Sequence, residues 1–182
     1  PYIETRCKKL KVKFAIGRDG STVKSRSSRF SAGERTSTYK RYDIYGRHII
    51  DTYHLVQLHD VIHRDMQSYG LKAAARYFGV SAPERTYVEG STISQVYRED
   101  PERLRAYAMD DVRETAGISE ILSPSPFYQT QLIPISFQNC VTRGNATRID
   151  SMLVAAYLSA DVSIPSPQAS RPFRGGLTGS LK

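Results

Sequence analysis

The chain has 182 residues, 40% of them hydrophobic, with 12 Tyr and 6 Phe; that is enough for one good core or pieces of two, and too apolar for a disordered tail. No apolar run approaches the ~18 residues that a membrane span needs, and two cysteines, Cys7 and Cys140, suggest neither a disulfide framework nor a zinc knuckle, which points to a reducing cytoplasm. The net charge of +8 is uneven, +9 over residues 1–47 and −1 over residues 48–182, so a polyanion partner near the start of the chain competes with an ordinary solvated surface.

Pro1 to Leu10 reads as a helix with Ile3, Cys7 and Leu10 on one side. Pro1 in place of an initiator Met leads us to expect a piece of something longer. Lys11 to Ile16 alternates Val12, Phe14 and Ile16 with Lys11, Lys13 and Ala15, which predicts a half-buried strand. Gly17-Arg18-Asp19-Gly20 is a turn signal. Residues 21–38 are rich in Ser, Thr, Lys and Arg, with Phe30 the sole large apolar residue. They predict a flexible basic hairpin or loop, with phosphate contacts as the functional reading and plain loop structure as the other. Tyr39 to Ile44 reads as a return strand, Gly46-Arg47 as a turn and His48 to Asp51 as a short strand.

Tyr53 to Arg64 is a predicted helix with Leu55, Leu58, Val61 and Ile62 inward. His54, His59 and His63 lie on it. His59 and His63 have the i, i+4 spacing of a zinc pair, but no acidic or cysteine third ligand follows at a useful distance, so a polar helix face is the preferred reading. Leu71 to Phe78 is a further helix, closed by Gly79. A loop with Pro83 and Gly90 leads on to the longest element.

That element is a helix over Asp100 to Leu122, with Asp100 as its cap and Pro101 at its first position, where a missing N–H costs nothing. Leu104, Ala108, Asp111, Thr115, Ile118 and Leu122 recur at spacings of four and three and define its apolar face. Asp111 is the anomaly on that face. A buried carboxylate needs a cation or hydrogen bonds, so Asp111 is either a salt-bridged residue at the edge of the core or a ligand for a hard divalent ion, with the Tyr107 hydroxyl one turn away on the same side. Asp110 points about a third of a turn off and is expected to be solvated. Ser123-Pro124-Ser125-Pro126 then breaks the helix at a linker or domain joint. Phe127 to Val141 is predicted helical but kinked or split by Pro134. Gly144-Asn145 starts another helix through Leu158, with Ile149, Leu153, Ala156 and Tyr157 apolar, and residues 160–182 turn polar and rich in Pro and Gly.

Tyr107-Ala108-Met109-Asp110-Asp111 matches the Tyr-x-x-x-Asp third exonuclease motif of the family B DNA polymerases. The chain resembles that family along nearly its whole length. Lys11-Val12-Lys13-Phe14 leading into Gly17-Arg18-Asp19-Gly20-Ser21 resembles the stretch just after the second exonuclease motif. Gly46 to Leu55 resembles the strand and helix before the third. Tyr69-Gly70-Leu71-Lys72-Ala73-Ala74-Ala75 is similar to the Tyr-Ser-Leu-x-x-x-Ala helix, with Gly70 where Ser is usual. Gln131 to Leu158 resembles the helices that link exonuclease to palm. Phe173-Arg174-Gly175-Gly176 resembles the Tyr-x-Gly-Gly motif, with Phe in place of Tyr, which leaves that hydroxyl's hydrogen bond unaccounted for.

The resemblance implies an α/β fold: a partial ribonuclease H-like 3′–5′ exonuclease domain over residues 1–122, a helical connection over 123–160 and the start of the polymerase palm over 161–182. It implies a DNA-directed DNA polymerase with proofreading, associated with the nucleoid or nucleus. The exonuclease of the family holds two metal ions, Mg2+ or Mn2+, on four carboxylates for an in-line attack of water. Asp111 would be one metal ligand, Tyr107 would orient the water or phosphate, and Asp51 would brace the site. The other ligands, in the Asp-x-Glu and Asn-x-x-x-Phe-Asp motifs, are expected upstream of Pro1, so this segment alone is expected to be inactive. Lys24, Arg26 and Arg29 are expected to contact the DNA backbone. Gly175 and Gly176 either let backbone amides approach template phosphates or form a plain turn into a strand. Primer–template DNA, a single-stranded 3′ end and deoxynucleotides are the implied partners, with a sliding clamp or a partner chain of a split polymerase as further ones. The competing readings are a non-catalytic nucleic-acid-binding module and a compact basic scaffold.

Overall fold

The computed structural model describes residues 2–166 and residue 168. The chain opens with helix α1 (Tyr2–Lys9), crosses an irregular stretch, and forms an antiparallel hairpin of β1 (Lys24–Ala32) and β2 (Arg35–Asp43). Seven helices come after it among the described residues: α2 (Thr52–His63), α3 (Leu71–Tyr77), α4 (Ile93–Glu99), α5 (Pro101–Leu122), α6 (Pro124–Leu132), α7 (Phe137–Thr142) and α8 (Asn145–Ser159).

The centre is a small apolar cluster where α2, α3 and α5 meet. Val56, Ala74, Ala75 and Ile118 are buried there, with Tyr69, Leu71, Phe78, Val80 and Leu122 packed around them. The two alanines let α3 lie close to α5. Gly117 does the same on the other side: a Cβ there would sit 3.0 Å from the Cβ of Val80. Helix α5 starts as its sequence requires, with Pro101 in the first turn and the Asp100 carboxylate accepting the Arg103 N–H at 3.0 Å. Gly79 takes a left-handed φ of 68° after α3. Pro134 falls between α6 and α7, which it separates.

The hairpin packs its inner face on α2. Phe30 is buried and stacks on His54, with 4.1 Å between ring centroids. At the far end Arg41 reaches the Thr142 hydroxyl of α7 at 3.1 Å. Helix α1 buries no residue and is tied to β2 by Glu4, which accepts from Lys40 at 2.6 Å, Lys8 at 2.9 Å and the Tyr42 hydroxyl at 3.2 Å.

Several expectations need correction. Residues 11–16 and 48–51 are not strands, and the sheet among the described residues has two strands, β1 and β2. An alternating sequence forms a strand only where a second strand takes up its backbone groups. Val12, with alternation but no partner, is exposed. On α2 the buried side is His54, Leu55, Val56, Gln57 and Asp60, while Ile62, expected inward, is 81% exposed. The stretch after Gly79 holds a 3-10 turn at Gly90–Thr92 and the helix α4, neither anticipated. The Ser-Pro segment is a sharp joint in which Ser123 ends α5 and α6 begins at Pro124.

Candidate functional site

Helix α5 carries the site on a ridge offset from the expected one. Leu104, Tyr107, Asp111, Glu114, Ile118 and Leu122 face inward to varying degrees, whereas Ala108 and Thr115 are exposed. Spacings of three and four fit either ridge; packing on α3 and on the segment after it selects the one that includes Glu114. Tyr107 and Asp111 border a shallow depression of ≈ 470 Å³, whose other walls include Ser68, Gly70, Lys72 and Arg76. Lys72 stands at the start of α3, and its ammonium lies 5.2 Å from the Tyr107 ring centroid and 5.3 Å from that of Tyr87.

Beneath the depression is an ion cluster. Arg85 donates from Nε to Glu114 Oε1 at 2.5 Å and from Nη2 to Glu114 Oε2 at 2.9 Å, a two-point pairing that suits the planar guanidinium. The same Nη2 donates to Asp111 Oδ1 at 2.5 Å, and Nη1 donates to the Thr86 carbonyl at 3.1 Å. The Ser81 hydroxyl donates to Glu114 Oε1 at 3.0 Å. The Arg85 and Glu114 side chains are each 2% accessible, against 32% for Asp111. Tyr87 and Tyr107 present their rings to the Arg85 guanidinium at 4.8 and 5.7 Å. The hydrogen bonds to Glu114 raise the Arg85 pKa further above its already high value, so Arg85 is a permanent cation here.

Asp111 is therefore salt-bridged at the edge of the core, one of its two sequence readings, and still opens onto the depression beside Tyr107. Asp110, expected in solvent, is buried and accepts the Thr86 N–H at 2.9 Å, because the segment after α3 folds back over that side of α5. Sequence reasoning missed Arg85 and Glu114. A signal existed: Asp111 and Glu114 stand three apart on one helix face, and two acids on a buried face require a cation.

The basic hairpin is present, but its three named cations do not share a face. Pairing places Lys24 and Arg26 on the side of Phe30, and Arg29 on the other side, across from Thr38. Arg26 is engaged by Asp43 at 3.1 Å. His59 and His63 stack on each other at 3.9 Å, and His54 is buried against Phe30, with burial holding its pKa below the usual imidazole value. Among the described residues no three His, Cys, Asp or Glu side chains converge as a metal site. Gly175 and Gly176 lie outside the described residues.

The fold matches that of the family B DNA polymerase from the hyperthermophilic archaeon Pyrobaculum calidifontis with a TM-score of 0.68, over 94% of this chain and 21% of that one, at 23% identity. In sequence the chain is 31% identical over 128 residues to DNA polymerase 2 of Aeropyrum pernix, and 29% identical over 134 residues to the DNA polymerase of Thermococcus kodakarensis. These alignments take in 68% and 72% of this chain but only 14% and 7% of the two relatives. No protein-family model matches. The chain is thus similar in sequence to a segment of archaeal DNA polymerases and in fold to a segment of a family B DNA polymerase.

Proposed function

We propose that the chain is the later part of a 3′–5′ exonuclease domain, continuing through a helical connection toward the palm, in a proofreading DNA-directed DNA polymerase. The observation that carries this reading is the meeting of Tyr107 and Asp111 at one depression, with the cations of Lys72 and Arg76 on its rim to attract a phosphodiester. The exonuclease part corresponds to residues 1–122 and the connection to 123–160; residues 161–182, with Gly175 and Gly176, begin the palm. The hairpin, through Lys24, Arg26 and Arg29, tracks the backbone of the DNA.

The fit to a divalent metal ion is partial. Mg2+ is commonly held by one or two carboxylates together with waters and substrate phosphates, and Asp111 offers one partly exposed carboxylate on the depression. On this reading further carboxylates, beyond those the described residues bring together, would complete the site. When bound, the ion pair would activate water and stabilise charge on the phosphate. This chain's own contributions are narrower. Asp111 supplies an oxygen ligand, Tyr107 on the same depression orients the phosphate or the water, and Arg85 with Glu114 fixes the Asp111 rotamer from below.

A second reading, a nucleic-acid-binding module or split-polymerase subunit without its own catalysis, draws on one observation: Arg85 already neutralises Asp111. One pair of experiments separates the two. In the polypeptide of the full reading frame, Asp111→Ala should abolish release of a mispaired 3′ nucleotide and leave primer extension intact. Unchanged excision would refute the exonuclease assignment. The 182-residue chain alone should release no nucleotide with Mg2+; release by it would refute the view that its site is incomplete.

A further inference from the structure

We propose that Tyr69 is a positioning residue that fixes the tip of the basic hairpin relative to the wall of the Asp111 depression. The inference deepens the reading just given and rests on it for its functional meaning. The contacts behind it are independent of that reading.

The tip is the Gly33-Glu34 turn, with Gly33 at a φ of 60°. It sits on the last turn of α2, where a Cβ added to Gly33 would meet a Val61 methyl at 3.7 Å. Arg35, the first residue of β2, donates from Nη1 to the Tyr69 hydroxyl, and its guanidinium carbon lies 5.2 Å from the Tyr69 ring centroid. That hydroxyl in turn donates to Asp60 Oδ2 at 2.5 Å. The other Asp60 oxygen accepts the Asp65 and Met66 N–H groups, each at 3.0 Å. One tyrosine thus joins three elements: the hairpin tip, the end of α2, and the segment between α2 and α3.

The segment is the one that matters. Ser68 and Gly70, on either side of Tyr69, both line the depression that holds Tyr107 and Asp111. The stacking of Phe30 on His54 seats the hairpin on α2 but does not reach this segment. A two-stranded hairpin is a weak structure by itself, so the placement of its outer half depends on such anchors. Bonds to an ionised carboxylate are the strong ones of their class, and the Asp60 carboxyl, held below its usual pKa chiefly by the Tyr69 bond, stays ionised at neutral pH. A strand running along the hairpin would therefore meet the depression at a set distance.

Tyr69→Phe tests this, since it keeps the ring in the core and removes both hydroxyl bonds. In the 182-residue chain we expect amide exchange at Arg35, in the tip, and at Asp65 and Met66 to quicken together by about tenfold, with exchange in α3 and α5 unchanged. Arg35→Gln should quicken the same amides, and the double variant should add little to either single one. Tip exchange unchanged by Tyr69→Phe, independent responses of the two segments, or a rise that extends through α3 and α5 would each overturn the proposal. In the full-length protein Tyr69→Phe should raise KM for excision of a 3′ nucleotide severalfold and leave kcat alone; an unchanged KM would also overturn it. The exchange experiment uses no DNA or metal. If Asp111→Ala spares excision while the exchange coupling holds, the exonuclease reading fails and the anchoring role of Tyr69 stands.

Discussion

Replacing Arg85 with methionine is the sharpest perturbation of this fold. Arg85 and Glu114 are both 2% accessible, so neither water nor salt takes over when one partner is lost. Methionine fills much of the volume of the arginine stem but leaves the Glu114 carboxylate with the Ser81 hydroxyl as its remaining donor, and Asp111 without its cation. Breaking one side of a buried pair costs about 3–5 kcal/mol. The total stability of a domain is typically about 5–15 kcal/mol, so the variant should unfold near or not far above ambient temperature. Replacing both partners, Arg85→Met with Glu114→Leu, removes the orphaned charge. Such double replacements are often neutral or stabilising, and most of the loss should return. Urea denaturation of Arg85→Met, Glu114→Leu and the double variant against the parent chain gives the free energies directly. A loss below about 1 kcal/mol in Arg85→Met, or a double variant as unstable as the single one, would refute the view that this pair is buried and coupled.

Other contacts carry further expectations. Lys40 and Lys8 hold the Glu4 carboxyl down to about 2 from an ordinary value of 4.5, so the tie of α1 to the hairpin is intact above pH 4.5 and is lost as pH falls toward 2; exchange of the α1 amides should report its release, and Glu4→Gln should release it already at neutral pH. Gly117→Ala gains up to about 1 kcal/mol of helix propensity, yet its Cβ would press on the branched Val80 at 3.0 Å; we expect net destabilisation in urea melts, and a stabilised variant would show that Val80 yields. Alanine at Lys24, Arg26 and Arg29 together should flatten the salt dependence of DNA binding, by about 0.9 of a slope unit for each phosphate contact removed. Arg29 should account for more of that than Arg26, which Asp43 engages; a parental slope would remove the hairpin from the DNA interface. Ile149→Glu with Leu153→Glu on α8, where these side chains are 55% and 52% exposed, should change the stability of the chain by less than about 0.5 kcal/mol, and a loss above about 2 kcal/mol would mean that α8 packs against the core.

Local chemistry is legible in the sequence where it acts over a few residues. Asp100 and Pro101 mark the start of α5, Gly79 the end of α3, Pro134 the split between α6 and α7, and the Ser- and Arg-rich run with its return strand the hairpin. What escapes depends on distant partners. Lys11 to Ile16 has the alternation of a strand, but alternation says which faces differ and not whether a second strand is at hand. On α2 the apolar residues Val61 and Ile62 suggest one inward face, yet the buried side runs through Gln57 and Asp60, because Asp60 is needed to hold Tyr69 and the backbone beyond α2. The stripe on α8 is apolar, as its sequence predicts, and is nonetheless exposed. Amphipathicity identifies a face that requires cover, while the cover belongs to whatever folds against it.

Asp111 shows why a short motif is informative and incomplete. The sequence leaves two roles open, a salt bridge at the core edge or a metal ligand, as though they were exclusive. The geometry separates them by oxygen and by depth. Glu114 takes Nε and Nη2 of Arg85 in a two-point pairing deep in the core, whereas Asp111 takes a single bond from Nη2 at the rim, through one oxygen. The arginine is therefore anchored by Glu114 and does not depend on Asp111 for its place. A carboxylate bound at one oxygen and 32% exposed can turn its second oxygen to another cation without unseating the pair below. On the proposed function the salt bridge is what holds Asp111 in place as a ligand. Arg85 lies well before the motif in sequence, where no five-residue pattern could contain it, and it is the residue on which that placement rests.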